Sequence, residues 1–205
     1  MSLVIIKVNR NEHTHSIYSD GQQNVGNSIL NTTGLKIAKH NFNGVSLLIG
    51  TAGTSCLGRY FRLHIVDAIG KTDILGHLDD IDLISEELSD LFTNLRNEYM
   101  AKLGTDNKDN GFDASVVLSI NGHLFSIDTA GEDVVNYHCF AQEDYDFVVC
   151  GGDRTAALCL LDSEIDPVQV ITTLSKFNST INENVRCFKD VPYAYVAMET
   201  LYTIK

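Results

Sequence analysis

The distribution of apolar residues along the chain predicts strands first, then two long helices, then strands again. LVIIKV near the start is a β-branched apolar run, and THSIYS follows it after the turn-like RNEH. The chain is therefore expected to open with a hairpin. VSLLIGT, residues 45–51, is another apolar run beside glycine and predicts a buried strand.

Helical periodicity appears after this strand. From Thr54 onward, apolar residues recur three and four positions apart, which predicts an amphipathic helix that ends near Gly70. A second helix is predicted by the same spacing, and acidic residues near its start suit the positive end of the helix dipole. Its apolar positions are Ile84, Leu88, Leu91, Leu95 and Tyr99.

The second half of the chain returns to strand patterns and ends with short elements. ASVVLSINGHLFSID places Asn-Gly between two strand-like runs, which is a strong hairpin signal. DFVVC predicts a strand, RTAALCLLD a short helix, and Asp166 with Pro167 the start of another helix. YAYVAMETLYTIK is expected to close the chain as one or two strands. This order favours two sheets with helices packed outside them, in a layered α/β or α+β domain.

Composition and charge limit the class of protein. The 205 residues, 44% hydrophobic and 20% charged, are typical of a globular chain, and we expect one domain over residues 1–205. No apolar run approaches the length of a membrane span and the start lacks the features of a secretory signal, so we expect a cytosolic protein. A net charge of −12 would repel phosphate backbones, which argues against a nucleic-acid partner.

The residues that commonly bind metals show no convincing ligand pattern. The five cysteines form no C-x-x-C pair and are expected to be buried thiols. His13 and His15 would need a third ligand to hold a metal, so we expect them to be surface histidines. No metal or other cofactor is predicted.

Residues 19–36, SDGQQNVGNSILNTTGLK, combine turn formers with a lone lysine. Asp20-Gly21-Gln22 is followed by Gly26-Asn27-Ser28-Ile29-Leu30, and Lys36 lies sixteen residues after Asp20. This run is similar to one in the proteasome β-subunit and HslV family of N-terminal nucleophile hydrolases. That family has Asp-Gly-Gln, three variable residues, Gly-Asn-Thr-Val-Met, and a Lys at the same distance from the Asp.

Further segments extend the resemblance over nearly the whole chain in the same order. VNRNEH resembles the first hairpin of the family, LLIGTAGTSC its strand-to-helix junction, and VVLSINGHLFSID its central hairpin. VVCGGDRTAAL resembles its Gly-Ser-Gly-Gly loop and the helix after it, and METLYTIK resembles its final strand. The resemblance implies the four-layer αββα sandwich of that family, an α+β fold.

The resemblance also implies a chemistry. In the family, the hydroxyl of the first residue is the nucleophile and its own α-amine is the general base. A nearby Lys lowers the proton affinity of both groups, and an Asp holds the Lys in place. Lys36 and Asp20 match these two residues, and Gly50 matches the glycine whose backbone N–H stabilises the oxyanion.

The chain departs from the family at the nucleophile. Matching the first hairpin places Leu3 at the catalytic position, where it has no chemistry. Removal of Met1 would instead expose Ser2, but Ser2 lies two residues further from Asp20 than in the family, so a bulge is expected near Ser2. Cys150 replaces the serine of the Gly-Ser-Gly-Gly loop, and a thiol is the weaker hydrogen-bonding group.

Several functions therefore remain open. The first is a peptidase subunit that hydrolyses peptide bonds with Ser2, forms a homo-oligomeric ring and receives unfolded polypeptide from an ATP-dependent unfoldase. The second is a catalytically inactive subunit with a structural or regulatory role in a similar ring, which Leu3 and Cys150 favour. An amidase that acts on small amides would use the same residues as the peptidase.

Overall fold

The computed structural model describes residues 2–25, 28–31, 34–104, 113–129 and 136–193. In these ranges the helices are α1 (Ser55–Ile69), α2 (Ile81–Leu103), α3 (Arg154–Asp162) and α4 (Pro167–Ser175), with a 3-10 turn at Ile74–Gly76. The strands are β1 (Leu3–Asn9), β2 (Thr14–Ser19), β3 (Gln23–Val25), β4 (Ser28–Asn31), β5 (Ile37–Phe42), β6 (Val45–Gly53), β7 (Ala114–Ile120), β8 (His123–Thr129), β9 (Tyr137–Ala141), β10 (Phe147–Gly151) and β11 (Arg186–Pro192).

Two antiparallel sheets form the centre of the molecule. One has the strand order β10-β1-β2-β11 and the other β5-β6-β7-β8-β9, while β3 and β4 form a separate ribbon. The sheets pack face to face through an apolar layer, here called the inter-sheet layer, that includes Val4, Ile17, Leu48 and Val117. Helices α1 and α2 cover the outer face of the five-stranded sheet, and α3 and α4 cover the four-stranded one. The predicted four-layer αββα sandwich is confirmed.

Two Asn-Gly turns hold the five-stranded sheet in register. Asn121 and Gly122 join β7 to β8 with φ of 51° and 91°, which confirms the hairpin predicted there. Asn43 and Gly44 join β5 to β6 with φ of 52° and 83°. Positive φ at both central residues defines the type I′ turn, whose twist matches the twist of paired strands.

The helices lie close to where periodicity and capping predicted them. Helix α1 ends at the residue before Gly70, and α3 coincides with RTAALCLLD. Asp166 accepts a hydrogen bond from the Val168 amide at 2.9 Å, and Pro167 is the first residue of α4. Capping therefore specified the start of α4 locally.

The sequence pattern predicts no strand at β3, β4, β5, β9 or β11. Strand β11, RCFKDVP, is largely exposed and carries charges, so it has no apolar alternation that the sequence could reveal. Strand β9 is the edge of its sheet, and two hydroxyls of α2 cover that edge: Ser89 accepts from the Cys139 amide and Thr93 from the Tyr137 amide, each at 2.9 Å. The strands predicted within YAYVAMETLYTIK lie outside the described residues, except at Tyr193.

The prediction that the cysteines are buried is wrong for three of them. Cys150 is buried and Cys139 is half-buried, whereas Cys56, Cys159 and Cys187 are exposed on helices and on an edge strand. None of the helices in the described ranges combines the length and the apolar character needed to cross a bilayer.

The prediction that His15 is a surface residue is also wrong. His15 is fully buried because it lies two residues before Ile17 and therefore on the same face of β2, the face that meets the second sheet. Its Nδ1 lies 2.7 Å from Ser119 Oγ and its Nε2 lies 2.8 Å from Ser46 Oγ, so the ring bridges the two sheets. Burial, with a smaller effect of Lys39, lowers the pKa of His15 from 6.5 to about 4.

The buried ring makes stability depend on pH. Because the folded protein keeps His15 neutral, the unfolded chain binds the extra proton as pH falls from about 6.5 towards 4, and stability is lost in that window. Between pH 7.5 and pH 5 the free energy of unfolding should fall by about 2 kcal/mol more in the wild type than in His15→Gln. Urea unfolding at the two pH values measures this difference. The exposed His138→Gln should behave as the wild type, and equal losses in all three proteins would contradict the assignment.

Candidate active site

A buried carboxylate at the end of β2 organises the N-terminal region. Asp20 is fully buried, and both of its oxygens lie 2.9 Å from Lys36 Nζ. Asp20 Oδ1 also accepts the Leu3 amide at 2.8 Å, and Oδ2 accepts the Gln22 amide at 3.0 Å. Four hydrogen bonds therefore connect β2, the segment before β5 and the first residues of β1.

Lys36 is the cation of this pair and is only 4% exposed. Burial lowers the pKa of the Lys36 ammonium, the nearby Arg62 lowers it further, and Asp20 and Cys150 act in the opposite direction. The ammonium is held against the carboxylate in a region that water does not reach. A charge in such a place acts strongly on neighbouring proton equilibria.

The side chains of β1 alternate between the two faces of the sheet, and this alternation decides which face the Ser2 and Leu3 side chains occupy. Leu3 packs with the α3 and α4 layer and is fully buried, whereas Val4, Ile6 and Val8 lie in the inter-sheet layer. Successive side chains of a strand point to opposite faces, so Ser2 belongs to the inter-sheet side. The hairpin match that placed Leu3 at the catalytic position therefore selects a side chain on the wrong face of the sheet.

The β1–β2 hairpin reaches Ser2 without the expected bulge. Pairing runs along both strands with no register shift, and Val4 lies opposite Ser19 at the end next to Asp20. The Asp20 amide donates to the Leu3 carbonyl at 3.2 Å, which continues the pairing by one more residue. Regular pairing is thus sufficient to bring Ser2 beside Asp20.

The Gly151-Gly152 loop fixes the other side of Ser2. The Gly152 amide donates to the Ser2 carbonyl at 2.8 Å. Gly151 has a φ of 100°, and a Cβ there would overlap the Ser2 carbonyl oxygen. A glycine is required at this position by both the backbone conformation and the contact.

Cys150 precedes this loop and lies within the inter-sheet layer with 1% of its surface exposed. Burial raises the pKa of the Cys150 thiol and Asp128 raises it further, while Arg154 and Lys36 act against them. The thiol therefore stays protonated near neutral pH. It is a neutral neighbour of Lys36 and not a thiolate nucleophile.

Gly50 does not present a free amide. Thr51 N donates to the Lys36 carbonyl on the β5 side, and Ser46 O accepts from Asn121 on the β7 side, so even-numbered residues of β6 direct their amides at β7. The Gly50 amide belongs to that ladder, opposite Val117. Gly50 is needed for packing, because a Cβ there would overlap Val4 Cγ1.

Gly53 at the end of β6 has the orientation that Gly50 lacks. Alternation along β6 directs the Gly53 amide to the β5 side of the strand, as for Thr51, but Gly53 lies beyond the residues that pair with β5. Gly53 is exposed and its φ is 102°. Its neighbour Ala52 contacts Gly151, since a Cβ on Gly151 would lie 3.0 Å from Ala52 Cβ. The Gly53 amide therefore lies near the loop that holds Ser2.

Arg62 is a further charged residue that sequence analysis missed. It extends from α1 beneath the strands, where its guanidinium donates to Thr51 Oγ1 and, at 2.9 Å, to the Leu35 carbonyl. Burial lowers the pKa of Arg62 to about 10, with a smaller effect of Arg59. Its position within an amphipathic helix gave no sign that its side chain would be buried against Thr51 and Leu35.

Other parts of the described chain offer less. A cleft of about 620 Å³ lies between α1 and α2, lined among others by Tyr60, His64 and Glu87, and contains none of the predicted site residues. No group of three or more His, Cys, Asp or Glu in the described ranges is arranged to hold a metal ion. Gly26 and Asn27, which carried part of the sequence resemblance, and Met1 lie outside the described residues.

Comparison with solved structures agrees with this architecture. HslV from Trypanosoma brucei superimposes with a TM-score of 0.58 at 16% identity, covering 90% of this chain and 97% of that one. BPH from Thiobacillus denitrificans, solved with epoxomicin, gives 0.59 at 11% identity, with 92% and 97% covered. Anbu from Pseudomonas aeruginosa, solved as a helical assembly, gives 0.59 at 16% identity, with 92% and 80% covered.

This chain has the proteasome-like N-terminal nucleophile hydrolase fold. No protein-family model and no curated protein sequence matches it. At identities of 11–16% the structural likeness extends to the fold alone. Within that fold, the predicted residues Ser2, Asp20, Lys36 and Cys150 lie together, whereas Gly50 has its amide in the β6–β7 ladder.

Breaking the Asp20–Lys36 pair should strongly destabilise the protein. Asp20→Asn leaves the Lys36 ammonium buried without a carboxylate, which should cost about 3–5 kcal/mol of unfolding free energy. The double variant Asp20→Asn/Lys36→Met removes the orphaned charge and should recover part of the loss. A double-mutant cycle by chemical denaturation measures both effects.

An exposed ion pair provides the matched control. Arg10 and Asp146 are 3.0 Å apart with side chains 43% and 62% exposed, so Asp146→Asn should cost less than about 1 kcal/mol. If Asp20→Asn costs no more than this control, the buried pair does not have the organising role assigned to it.

Proposed function

We propose that this protein is a peptidase of the N-terminal nucleophile type, with Ser2 as its nucleophile once Met1 is removed. The observation that carries the proposal is the buried Asp20–Lys36 pair, which is hydrogen-bonded to the Leu3 amide directly after Ser2. Burying a charged pair is costly, and placing it beside a chain terminus has a clear use if the terminus is reactive.

Each residue has a defined part in the reaction. The Ser2 hydroxyl attacks the peptide carbonyl while the Ser2 α-amine takes its proton, which gives a tetrahedral intermediate bonded to Ser2 Oγ. The α-amine then passes that proton to the substrate nitrogen, the C–N bond breaks, and the substrate acyl group remains as an ester on Ser2 Oγ. Water hydrolyses the ester and regenerates the Ser2 hydroxyl. Lys36 lowers the proton affinity of the hydroxyl and the amine, Asp20 holds Lys36, and Cys150 remains a neutral thiol.

The oxyanion donor in this proposal is the Gly53 amide instead of the predicted Gly50. A backbone N–H can serve as an oxyanion donor only if the sheet does not already use it. Gly53 lies past the β5 pairing on the open side of β6, next to Ala52 and the Gly151 loop.

Assembly and supply of substrate complete the proposal. Related folds support a homo-oligomeric state, since Anbu from Pseudomonas aeruginosa was solved as a helical assembly. We propose that this chain forms a homo-oligomeric ring and that an ATP-dependent unfoldase delivers unfolded polypeptide to it. A cytoplasmic location fits such a role.

A second candidate is a non-catalytic subunit of a similar assembly. Two observations favour it: Met1 blocks the α-amine unless it is removed, and the buried Cys150 is a poor hydrogen-bonding substitute for a serine. In that case the Asp20–Lys36 pair serves only to order the N-terminus.

Labelling with a β-lactone separates the two candidates. The catalytic proposal predicts that native protein loses Met1 and gains one adduct that maps to Ser2 and not to Cys150. Lys36→Met should abolish the adduct because the amine and hydroxyl then keep their ordinary proton affinities. Intact mass and peptide mapping measure the adduct, and native mass of the same sample reports the assembly. A retained Met1, or a free Ser2 that never reacts, would support the non-catalytic subunit.

Displacing the Gly53 amide should slow labelling of Ser2. In Gly53→Ala the backbone must keep a φ of 102° and the new Cβ would lie 2.9 Å from the Asp113 carbonyl, so the amide must move. The labelling rate should fall by at least about ten-fold. Gly44→Ala is the matched control, because Gly44 also has positive φ, 83°, but lies in the β5–β6 turn with free space around it. Equal rates in the two variants would rule out Gly53 as the donor.

A further inference from the structure

A second ion pair lies at the Ser2 end of the inter-sheet layer, and the proposed mechanism does not use it. Arg154 is the first residue of α3, two residues after the Gly152 amide that holds the Ser2 carbonyl. Its Nη1 lies 3.5 Å from Oδ2 of Asp128, near the end of β8 in the opposite sheet. The pair therefore connects helix α3 to the five-stranded sheet beside the N-terminus.

The side chain of Asp128 faces the same layer as Ser2. Leu124 of β8 lies in the inter-sheet layer, and Asp128 follows it by four residues, which places both side chains on one face of the strand. Asp128 and Arg154 also act in opposite directions on the buried Cys150 thiol. Their charges thus reach the position next to the loop that holds Ser2.

Asp128 is a carboxylate at this end of the layer that can still accept a hydrogen bond. Among the described residues, Asp20, Arg62 and Cys150 act on the Lys36 ammonium, and Asp128, Arg154 and Lys36 act on the Cys150 thiol. Asp20 has both oxygens engaged by Lys36 and by the amides of Leu3 and Gln22. Asp128 is 31% exposed and its Oδ2 lies 3.5 Å from Arg154 Nη1, which is long for a hydrogen bond, so the carboxylate retains capacity to accept another one.

We propose that Asp128 and Arg154 are positioning residues for the α-amine of Ser2, with opposite effects on its proton affinity. Asp128 accepts a hydrogen bond from the amine and orients it towards its own hydroxyl, and it favours the protonated form. Arg154 holds Asp128 in place and offsets that effect, so that the amine is neutral often enough to act as a base. The inference rests on the proposed role of Ser2, but the amine can be titrated without any activity.

The test uses full-length protein that begins at Ser2, released from a cleavable N-terminal fusion. Competitive acetylation across a pH series, followed by mass spectrometry, gives the midpoint at which the α-amine becomes reactive. Asp128→Asn should lower this midpoint by about one pH unit, and Arg154→Met should raise it by a similar amount. The charge-conserving Asp128→Glu and Arg154→Lys should stay close to the wild type.

Opposite shifts distinguish this role from a merely structural one. Loss of an ion pair that only fastens α3 to β8 would move the midpoint of both neutral variants in the same direction or leave both unchanged, and either result would overturn the proposal. Asp146→Asn and Arg10→Met neutralise the pair at the far end of β1 and should leave the midpoint unchanged. If Asp128→Asn fails to fold, the contrast between Arg154→Met and Arg154→Lys still decides the sign.

The same variants separate this inference from the peptidase proposal. If the midpoints shift in opposite directions but Ser2 never reacts with a β-lactone, the positioning role holds and the peptidase proposal fails. If Ser2 reacts in the wild type but neither midpoint moves, the amine is positioned by other groups and this inference is wrong.

Discussion

The buried Asp20–Lys36 ion pair is the interaction on which the N-terminal half of the molecule depends. Two charges in an apolar layer are tolerated only when every hydrogen-bonding atom is satisfied, and Asp20 achieves this with Lys36 Nζ and two backbone amides. Because one of those amides is that of Leu3, the pair determines where β1 begins. The low dielectric around the pair also makes its field felt by the residue before Leu3.

Close packing of the two sheets places the remaining groups around that residue. Gly50 lets β1 approach β6, and Gly151 lets β10 meet the Ser2 carbonyl, because neither position has room for a Cβ. The inter-sheet layer is apolar along most of its length and becomes charged at the Ser2 end, where Asp128 and Arg154 join the site. This change from apolar to charged surroundings gives the N-terminus an environment unlike that of an ordinary chain end.

The chemistry of the site follows from what each group can exchange with its neighbours. A thiol at Cys150 stays protonated, so the proposed reaction assigns proton transfer to the α-amine of Ser2. The proposed reaction combines the Ser2 hydroxyl and α-amine with the buried Lys36 ammonium and the Gly53 amide, a set suited to acyl transfer through a serine ester. The same packing would equally order the terminus of a subunit without activity, which is why the state of the α-amine decides between the two functions.

The sequence by itself determined the helices, the Asn121-Gly122 turn and the Asp20 to Lys36 spacing, because caps, periodicity and turn chemistry act over a few residues. It did not determine which side chains face each other between the sheets. His15 was predicted to be exposed, but its ring bridges the two sheets. The match to the first hairpin placed Leu3 at the catalytic position, although the Leu3 side chain packs with the α3 and α4 layer. Gly50 was predicted to donate its amide to the oxyanion, but that amide belongs to the β6–β7 ladder. Arg62, Asp128 and Arg154 come from three separate elements, and only tertiary packing brings their charges close to Lys36 or to Cys150. Which side chains face each other, and which lie close together, depends on strand register and on sheet packing. Both are set by residues far apart in the chain.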